Sequence, residues 1–383
     1  MGAFLAKPKT EKNCDSGEGN GIKYGLCSMQ GWRRVDMEDA HTCVVSLGPM
    51  KWSFFAVFDG HAGKVAAEIC SRELVDKIEQ VLTDDVLKGL TDSGEYNCDA
   101  VITQIKKSFL NMDAILRKEL NTQGDRSGTT CTAILISPDH FFFINCGDSR
   151  SMLVREDSVK FSTKDHKPTD DDERDRIVRA GGLVMTQRIN GSLAVSRALG
   201  DFDYKTDQNR LPTEQLVSPE PDVTCLKRDP DDQYICLACD GIFDVFSNED
   251  LAAYISGRIR VKDSLDMVAA EIVDTSLHKG SRDNMSVVLL TLPACPEINQ
   301  EAVDQEKKLD EILEQAVKET IKECREVNPD MYLTLVDILN EIQRKPWAAQ
   351  FNPLLPPGGG LVSKYSTIDQ LICKHDPSGR NDD

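Results

Sequence analysis

Three apolar runs in this chain each stop at an aspartate. Phe54 to Phe58 ends at Asp59-Gly60-His61-Ala62-Gly63, Phe141 to Cys146 leads through Gly147 to Asp148, and Tyr234 to Cys239 leads into Asp240-Gly241. Further carboxylates stand beside turn residues: Glu38-Asp39 after Arg33-Arg34, Asp244, and Asp283-Asn284 before an apolar run. One such Asp would be a turn or helix cap. Several at the ends of strands that share a sheet edge would repel one another unless a cation sat among them. Hard divalent ions such as Mg2+ and Mn2+ take oxygen donors. Two of them roughly 3.5–4 Å apart would generate a hydroxide nucleophile at neutral pH without Ser or Cys. A glycine after the carboxylate would let a backbone carbonyl approach the metal as well.

The elements that position these residues are legible in outline. Ile22 to Ser28, His41 to Leu47, Trp52 to Phe58, Thr130 to Ile136, His140 to Asn145, Asp222 to Lys227, Gln233 to Cys239 and Met285 to Leu292 read as strands. Val65 to Leu82 and Val101 to Leu120 carry apolar residues at helical spacing, Leu251 to Ile259 and Leu265 to Leu277 read as helices, and the charged stretch Asp171 to Ala180 is a short helical candidate. Many hairpin-spaced strands with paired helices do not alternate as a doubly wound sheet does. The polar, Gly-rich start predicts a flexible arm over 1–21, followed by a catalytic unit over 22–295. Pro293 and Pro296 mark its end. Glu301 to Arg325 and Asp330 to Ile342 form amphipathic helices of a module over 296–352. A Pro/Gly linker, a short helix over Thr367 to Cys373 and a polar tail fill 353–383.

The net charge is −19, and the regions before and after Pro296 are both acidic, which argues against nucleic acid as a partner. The 13 cysteines are odd in number and scattered, which fits reduced thiols in the cytoplasm or nucleus. Cys236-x-x-Cys239 has no second pair for zinc and reads as core strand. No apolar run reaches the roughly 20 residues of a membrane span. Met1-Gly2 leaves Gly2 open to N-myristoylation, although Ala6 stands where the motif favours Ser or Thr. Lys7, Lys9 and Lys12 offer a second, weak membrane signal.

The ordered series of motifs resembles the metal-dependent (type 2C) serine/threonine protein phosphatases. Gly31-Trp32-Arg33-Arg34-Val35-Asp36-Met37-Glu38-Asp39, Phe58-Asp59-Gly60-His61-Ala62-Gly63, Asn145-Cys146-Gly147-Asp148-Ser149-Arg150 and Asp165-His166-Lys167-Pro168 carry the resemblance. So do Asn190 to Asp201, Ala238-Cys239-Asp240-Gly241-Ile242-Phe243-Asp244 and Gly280-Ser281-Arg282-Asp283-Asn284-Met285-Ser286. They occur in the family's order from Tyr24 to about Leu292. The Met1-Gly2-Ala3-Phe4-Leu5 start and the C-terminal helices resemble the animal alpha and beta branch, whose members are N-myristoylated at the position of Gly2.

The resemblance implies an α+β fold: a central β-sandwich with helices on both outer faces, followed by a C-terminal helical module. It implies a monomer that acts on phosphoprotein substrates, with peripheral membrane contact if Gly2 is acylated. The hydroxide bridging two Mg2+ or Mn2+ ions would attack phosphorus directly, with no phosphoenzyme intermediate. Asp59 would bridge the ions, with Gly60 offering its carbonyl. Asp240 and Asp283 would complete one shell and Glu38 would serve the other. Asp39 would orient metal-bound water, and Asp148 with Asp240 would hold a weaker third ion. His61 would be the general acid, a role suited to imidazole. Arg188 lies in the family's flap region and would meet substrate.

One departure from the pattern is a residue inserted between the family's Gly-x-Arg and the Glu. Arg33 keeps the spacing from Gly31, whereas Arg34 keeps the spacing to Glu38. A guanidinium binds phosphate bidentately and tolerates little displacement. Counting back from Glu38 favours Arg34 as the phosphate clamp over Arg33. Two rivals follow: a catalytically weak phosphoprotein scaffold, which the insertion favours, and a two-metal nuclease, which the charge of −19 opposes.

Overall fold

The computed structural model describes residues 5–32, 36–48, 51–82, 97–328 and 333–376. The chain runs through β1 (Lys9–Gly19), β2 (Ile22–Gly31), β3 (Ala40–Leu47), β4 (Trp52–Phe58) and β5 (Gly60–His61) into helices α1 (Val65–Val81) and α2 (Cys98–Gln123). It continues through β6 (Gly128–Thr129), β7 (Cys131–Ile136), β8 (His140–Cys146), β9 (Arg150–Arg155), β10 (Ser158–Ser162) and α3 (Asp171–Arg179). The short strands β11 (Val184–Met185), β12 (Arg188–Ile189) and β13 (Leu199–Gly200) precede β14 (Asp222–Lys227) and β15 (Asp232–Ala238). Then come α4 (Asp240–Phe243), α5 (Asn248–Ile259), α6 (Leu265–His278) and β16 (Met285–Thr291).

Two antiparallel sheets carry the fold, one in the order β1-β2-β16-β15-β9-β10 and the other β14-β8-β7-β4-β3. β4 shows why its sequence is a continuous apolar run rather than an alternation, because both of its faces are buried. Phe55 and Val57 join the core shared with the first sheet, together with Leu237 and Val288. Phe54, Ala56 and Phe58 face the opposite way, into a core closed by Ile69, Leu74, Phe109 and Leu116 of α1 and α2. On the other side, Leu251 and Ile255 of α5 and Val268 and Ile272 of α6 cover the first sheet. The order of layers is therefore α-β-β-α, as the family resemblance implied.

The flexible arm expected over 1–21 needs correction, because residues 9–19 form β1. This strand pairs with β2 from Lys9↔Gly31 to Gly19↔Ile22. Its side chains are largely exposed. It is held by the backbone groups that β2 would otherwise leave open, and such pairing leaves no hydrophobic pattern in the sequence. Cys14 lies opposite Cys27 in this pairing with the two sulfurs in contact, and the eleven other cysteines are free.

Beyond β16, α7 (Gln300–Val327), α8 (Leu335–Arg344), α9 (Trp347–Phe351) and α10 (Tyr365–His375) form a module with its own core. Leu309, Leu313, Val317, Ile338, Ile342, Phe351, Ile368 and Ile372 make up that core. The Pro/Gly stretch 353–360 is a packed connector, with Leu354 and Leu355 against the module's core. Buried Arg258 of α5 joins the module to the catalytic unit. Its Nε donates to Glu271 at 2.6 Å and its Nη1 to Glu306 of α7 at 2.9 Å. Lys364 donates to Glu306 at 2.5 Å and to Asp310 at 2.9 Å. Among the described residues no helix is long and apolar enough to cross a membrane.

Candidate metal centre and active site

Each acidic residue of the centre sits where an element begins or ends. Asp59 falls between β4 and β5, Asp148 follows β8, Asp240 opens α4 directly after β15, and Asp283 precedes β16. Glu38 and Asp39 lie just before β3. The two sheets thereby deliver carboxylates to one end of the sandwich. The Asp59 carboxyl is held well above the usual carboxylate range, first by burial and then by the charges of Asp240, Asp39, Asp283 and Asp148. Asp240 is raised in the same way, by burial and then by Asp148, Asp283 and Asp244, against a hydrogen bond with Asp59. One of its oxygens, Oδ1, is buried without a hydrogen-bond partner among the described residues.

Backbone and polar side chains fix this crowd. Asn284 accepts the Glu38 N–H at 2.9 Å through Oδ1 and donates through Nδ2 to the Gln30 carbonyl at 2.9 Å. Glu38 Oε1 accepts the Gly63 N–H at 2.8 Å, beside the start of α1. Asp39 Oδ2 accepts the Ser286 hydroxyl at 2.7 Å. A side chain at position 60 would run into the Glu38 carbonyl, so Gly60 is demanded by the close approach of that segment. The Asp148 carboxylate meets the Lys167 ammonium. His166 Nδ1 accepts the Gly147 N–H at 3.1 Å and so steadies the turn that carries Asp148.

His61 Nε2 is 2.7 Å from Asp201 Oδ2. Burial opposes a charge on the imidazole, but Asp201, Asp148 and Glu38 outweigh it, and the pKa is raised. A Cβ at Gly128 would overlap the Asp201 carboxylate, so the glycine makes room for this pair. Cys239 lies within 4.8 Å of carboxylate oxygens of Asp39 and Asp59. Its thiol is pushed well up by burial and by those charges, and its sulfur accepts the Ser286 N–H at 3.1 Å.

The arrangement brings Asp59, Asp240, Asp283, Asp148 and Asp39 together and ties Glu38 to the same end. Arg188 stands apart on the exposed β11/β12 hairpin, where Nη1 donates to the Ser192 carbonyl at 2.7 Å. Arg33, Arg34 and Gly2 lie outside the described residues. Asp201, Lys167 and Asn284 went unassigned in the sequence reading. Asp201 had a usable signal, since Leu199-Gly200-Asp201 repeats in miniature the pattern of an apolar run ending at an acid. A donor set of crowded, buried carboxylates with an orphaned oxygen fits hard divalent cations, which supply the missing positive charge.

Comparison with known proteins agrees. Residues 22–285 match the family model described as protein phosphatase 2C, and residues 286–373 match that of the protein serine/threonine phosphatase 2C C-terminal domain. The chain is 50% identical to Protein phosphatase 1A of Bos taurus over 388 aligned residues, covering all of this chain and 97% of the relative. It is 48% identical to Protein phosphatase 1B of Mus musculus over 389, with the same coverage. A crystal structure of a Toxoplasma gondii phosphatase superposes with a TM-score of 0.63 at 26% identity, over 74% of this chain and 96% of that one. The chain therefore belongs to the protein phosphatase 2C family of serine/threonine phosphatases, in the branch of the animal alpha and beta enzymes.

Proposed function

We propose that the protein removes phosphate from phosphoserine and phosphothreonine in proteins with two Mg2+ or Mn2+ ions, water attacking directly and no phosphoenzyme forming. The observation that carries this reading is the buried pair Asp59 and Asp240, both held well above the carboxylate range, with Asp240 Oδ1 orphaned. Asp59 would serve both ions and Gly60 would offer its carbonyl, with Asp240 and Asp283 completing the set for one ion and Glu38 serving the other. Asp148 with Asp240 would hold a weaker third. When bound, such ions lower the pKa of a shared water and neutralise charge on phosphoryl oxygens.

The chain's own groups have separate tasks. His61, whose affinity for a proton is raised against burial by its partner Asp201, would donate a proton to the departing Ser or Thr oxygen. Asp39, fixed by Ser286, holds its carboxylate toward the centre as a water-orienting acceptor. Cys239 is kept as a buried thiol and so is unsuited to act as a nucleophile. Arg34 is assigned to the phosphate by its spacing from Glu38, with Arg33 as the alternative and Arg188 as a flap contact.

The test is phosphate release from a phosphothreonine peptide with Mn2+, with EDTA, and with Asp59→Ala or Asp240→Asn. Release that needs the metal and both carboxylates is expected. Tight peptide binding with no metal-dependent release would replace this reading with that of a scaffold. Arg34→Ala should lose more activity than Arg33→Ala, and the reverse order would move the clamp to Arg33.

A further inference from the structure

Away from the catalytic end, three soft ligands from separate parts of the chain converge. Cys98 is the first residue of α2, His140 the first of β8, and Cys225 lies on the edge strand β14. β14 pairs with β8 so that Cys225 is opposite Phe142 and Lys227 opposite His140. His140 and Phe142 are two residues apart on one strand and share a face. Phe142 belongs to the core under α1 and α2, and Cys98 and Cys225 pack against that core. The strand register and the start of α2 thus bring two thiols and an imidazole together, with ligand atoms all within 4.8 Å of one another.

His140 Nδ1 is buried and has no hydrogen-bond partner among the described residues. A buried nitrogen left this way is costly, and a metal would satisfy it. We propose that Cys98, His140 and Cys225 form a Zn2+ site that clamps the N-terminus of α2 to β8 and the edge strand β14. Zinc takes sulfur at about 2.3 Å and imidazole nitrogen at about 2.0–2.1 Å, so a tetrahedral site has ligand–ligand edges of about 3.5 Å. Rotation of the half-buried cysteine side chains covers the difference from the present spread. With three protein ligands, a water would take the fourth position. Two thiolates and an imidazole select zinc over Mg2+ or Mn2+, whereas the catalytic carboxylates select the reverse. The two sites are sorted by ligand softness and do not compete for one ion.

Cobalt(II) reports the ligand set directly, because thiolate ligation gives an intense charge-transfer band that an all-oxygen centre lacks. Full-length protein, reduced with a phosphine, is loaded with Co2+ and desalted. The band should appear at one equivalent and vanish when Zn2+ is added. It should be lost in Cys225→Ser and in Cys98→Ser, the latter placing a residue common at helix starts. It should persist in Asp59→Asn, which disrupts the catalytic centre without touching this one. No band in the reduced protein, or a band that survives Cys225→Ser, would overturn the proposal. A band lost only with Asp59→Asn would assign the sulfur to Cys239 instead.

Discussion

Two acidic clusters in this molecule meet opposite fates. At the end of the sandwich, Asp59 and Asp240 are buried among other carboxylates and held well above their ordinary range. At the seam with the C-terminal module, Glu306 is also removed from water, yet Arg258 and Lys364 outweigh that burial and bring its carboxyl down to about 2. Both clusters are carboxylates in a low-dielectric setting. The seam carries its cations within the chain, whereas the catalytic end leaves much of its negative charge to be met from outside. Charge that the chain neutralises for itself holds structure together, and charge that it leaves open recruits a ligand.

The sharpest way to break this comparison is to neutralise a member of each cluster. Asp59→Asn should lower metal-dependent phosphate release by on the order of 10²- to 10³-fold or more. The same change should raise the melting temperature of the metal-free protein at neutral pH, by roughly 2–4 °C for each kcal/mol of repulsion relieved. Arg258→Ala should do the opposite. It leaves Glu306 to Lys364 alone and Glu271 to Lys262 alone, which costs about 3 kcal/mol in denaturant unfolding, and leaves turnover per folded molecule unchanged. Loss of stability in both variants would erase the distinction between the clusters.

Acid titration sharpens it further. The raised pKa values of Asp59 and Asp240 mean that the metal-free folded state binds more protons than the unfolded one as pH falls from neutrality, so this cluster's contribution to stability improves on acidification. Glu306 runs the other way. Its contribution is complete above the ordinary carboxylate range and disappears as pH falls through about 2. Melting curves against pH, with and without Mg2+, should show stabilisation by the ion that is greatest near neutral pH and fades toward acid. Glu306→Gln should flatten only the acid limb. The smallest expected effect concerns the internally paired group of the catalytic end. Asp201→Asn removes a charge that raises the His61 pKa, so the alkaline limb of the turnover–pH profile should move to lower pH. An unmoved limb would free His61 of the acid role.

How much of this was legible depended on what each residue is buried against. β4 and β8 could be read from apolar runs because both strands are covered on two faces. β1 could not, since backbone pairing holds it while its side chains face water. The β9/β10 hairpin went unread because Arg150, Arg155, Glu156 and Asp157 interrupt its pattern, and their partners lie far off in sequence. Arg150 bonds Asp165 and Asn248, and Arg155 bonds Asp232. Asp59, Asp148 and Asp240 stood out as charges that end apolar runs. Asp201 did not, because its strand is two residues long. Lys167 and Asn284 act through pairings that no local spacing reveals.

The Asn284 side chain, finally, has a consequence for how the protein is made. It holds the backbone of residues 30 and 38 from a position about 250 residues later, and it precedes β16, which inserts between β2 and β15. A chain emerging from the ribosome therefore carries most of its acidic ligands long before it can align them. Contacts of such long sequence separation form late and slow folding. Until β16 slots into its sheet, the nascent protein has neither a finished first sheet nor an anchored Glu38. The last strand of the catalytic unit thus acts as the keystone, and the enzyme stays without its assembled centre until synthesis of that unit is complete.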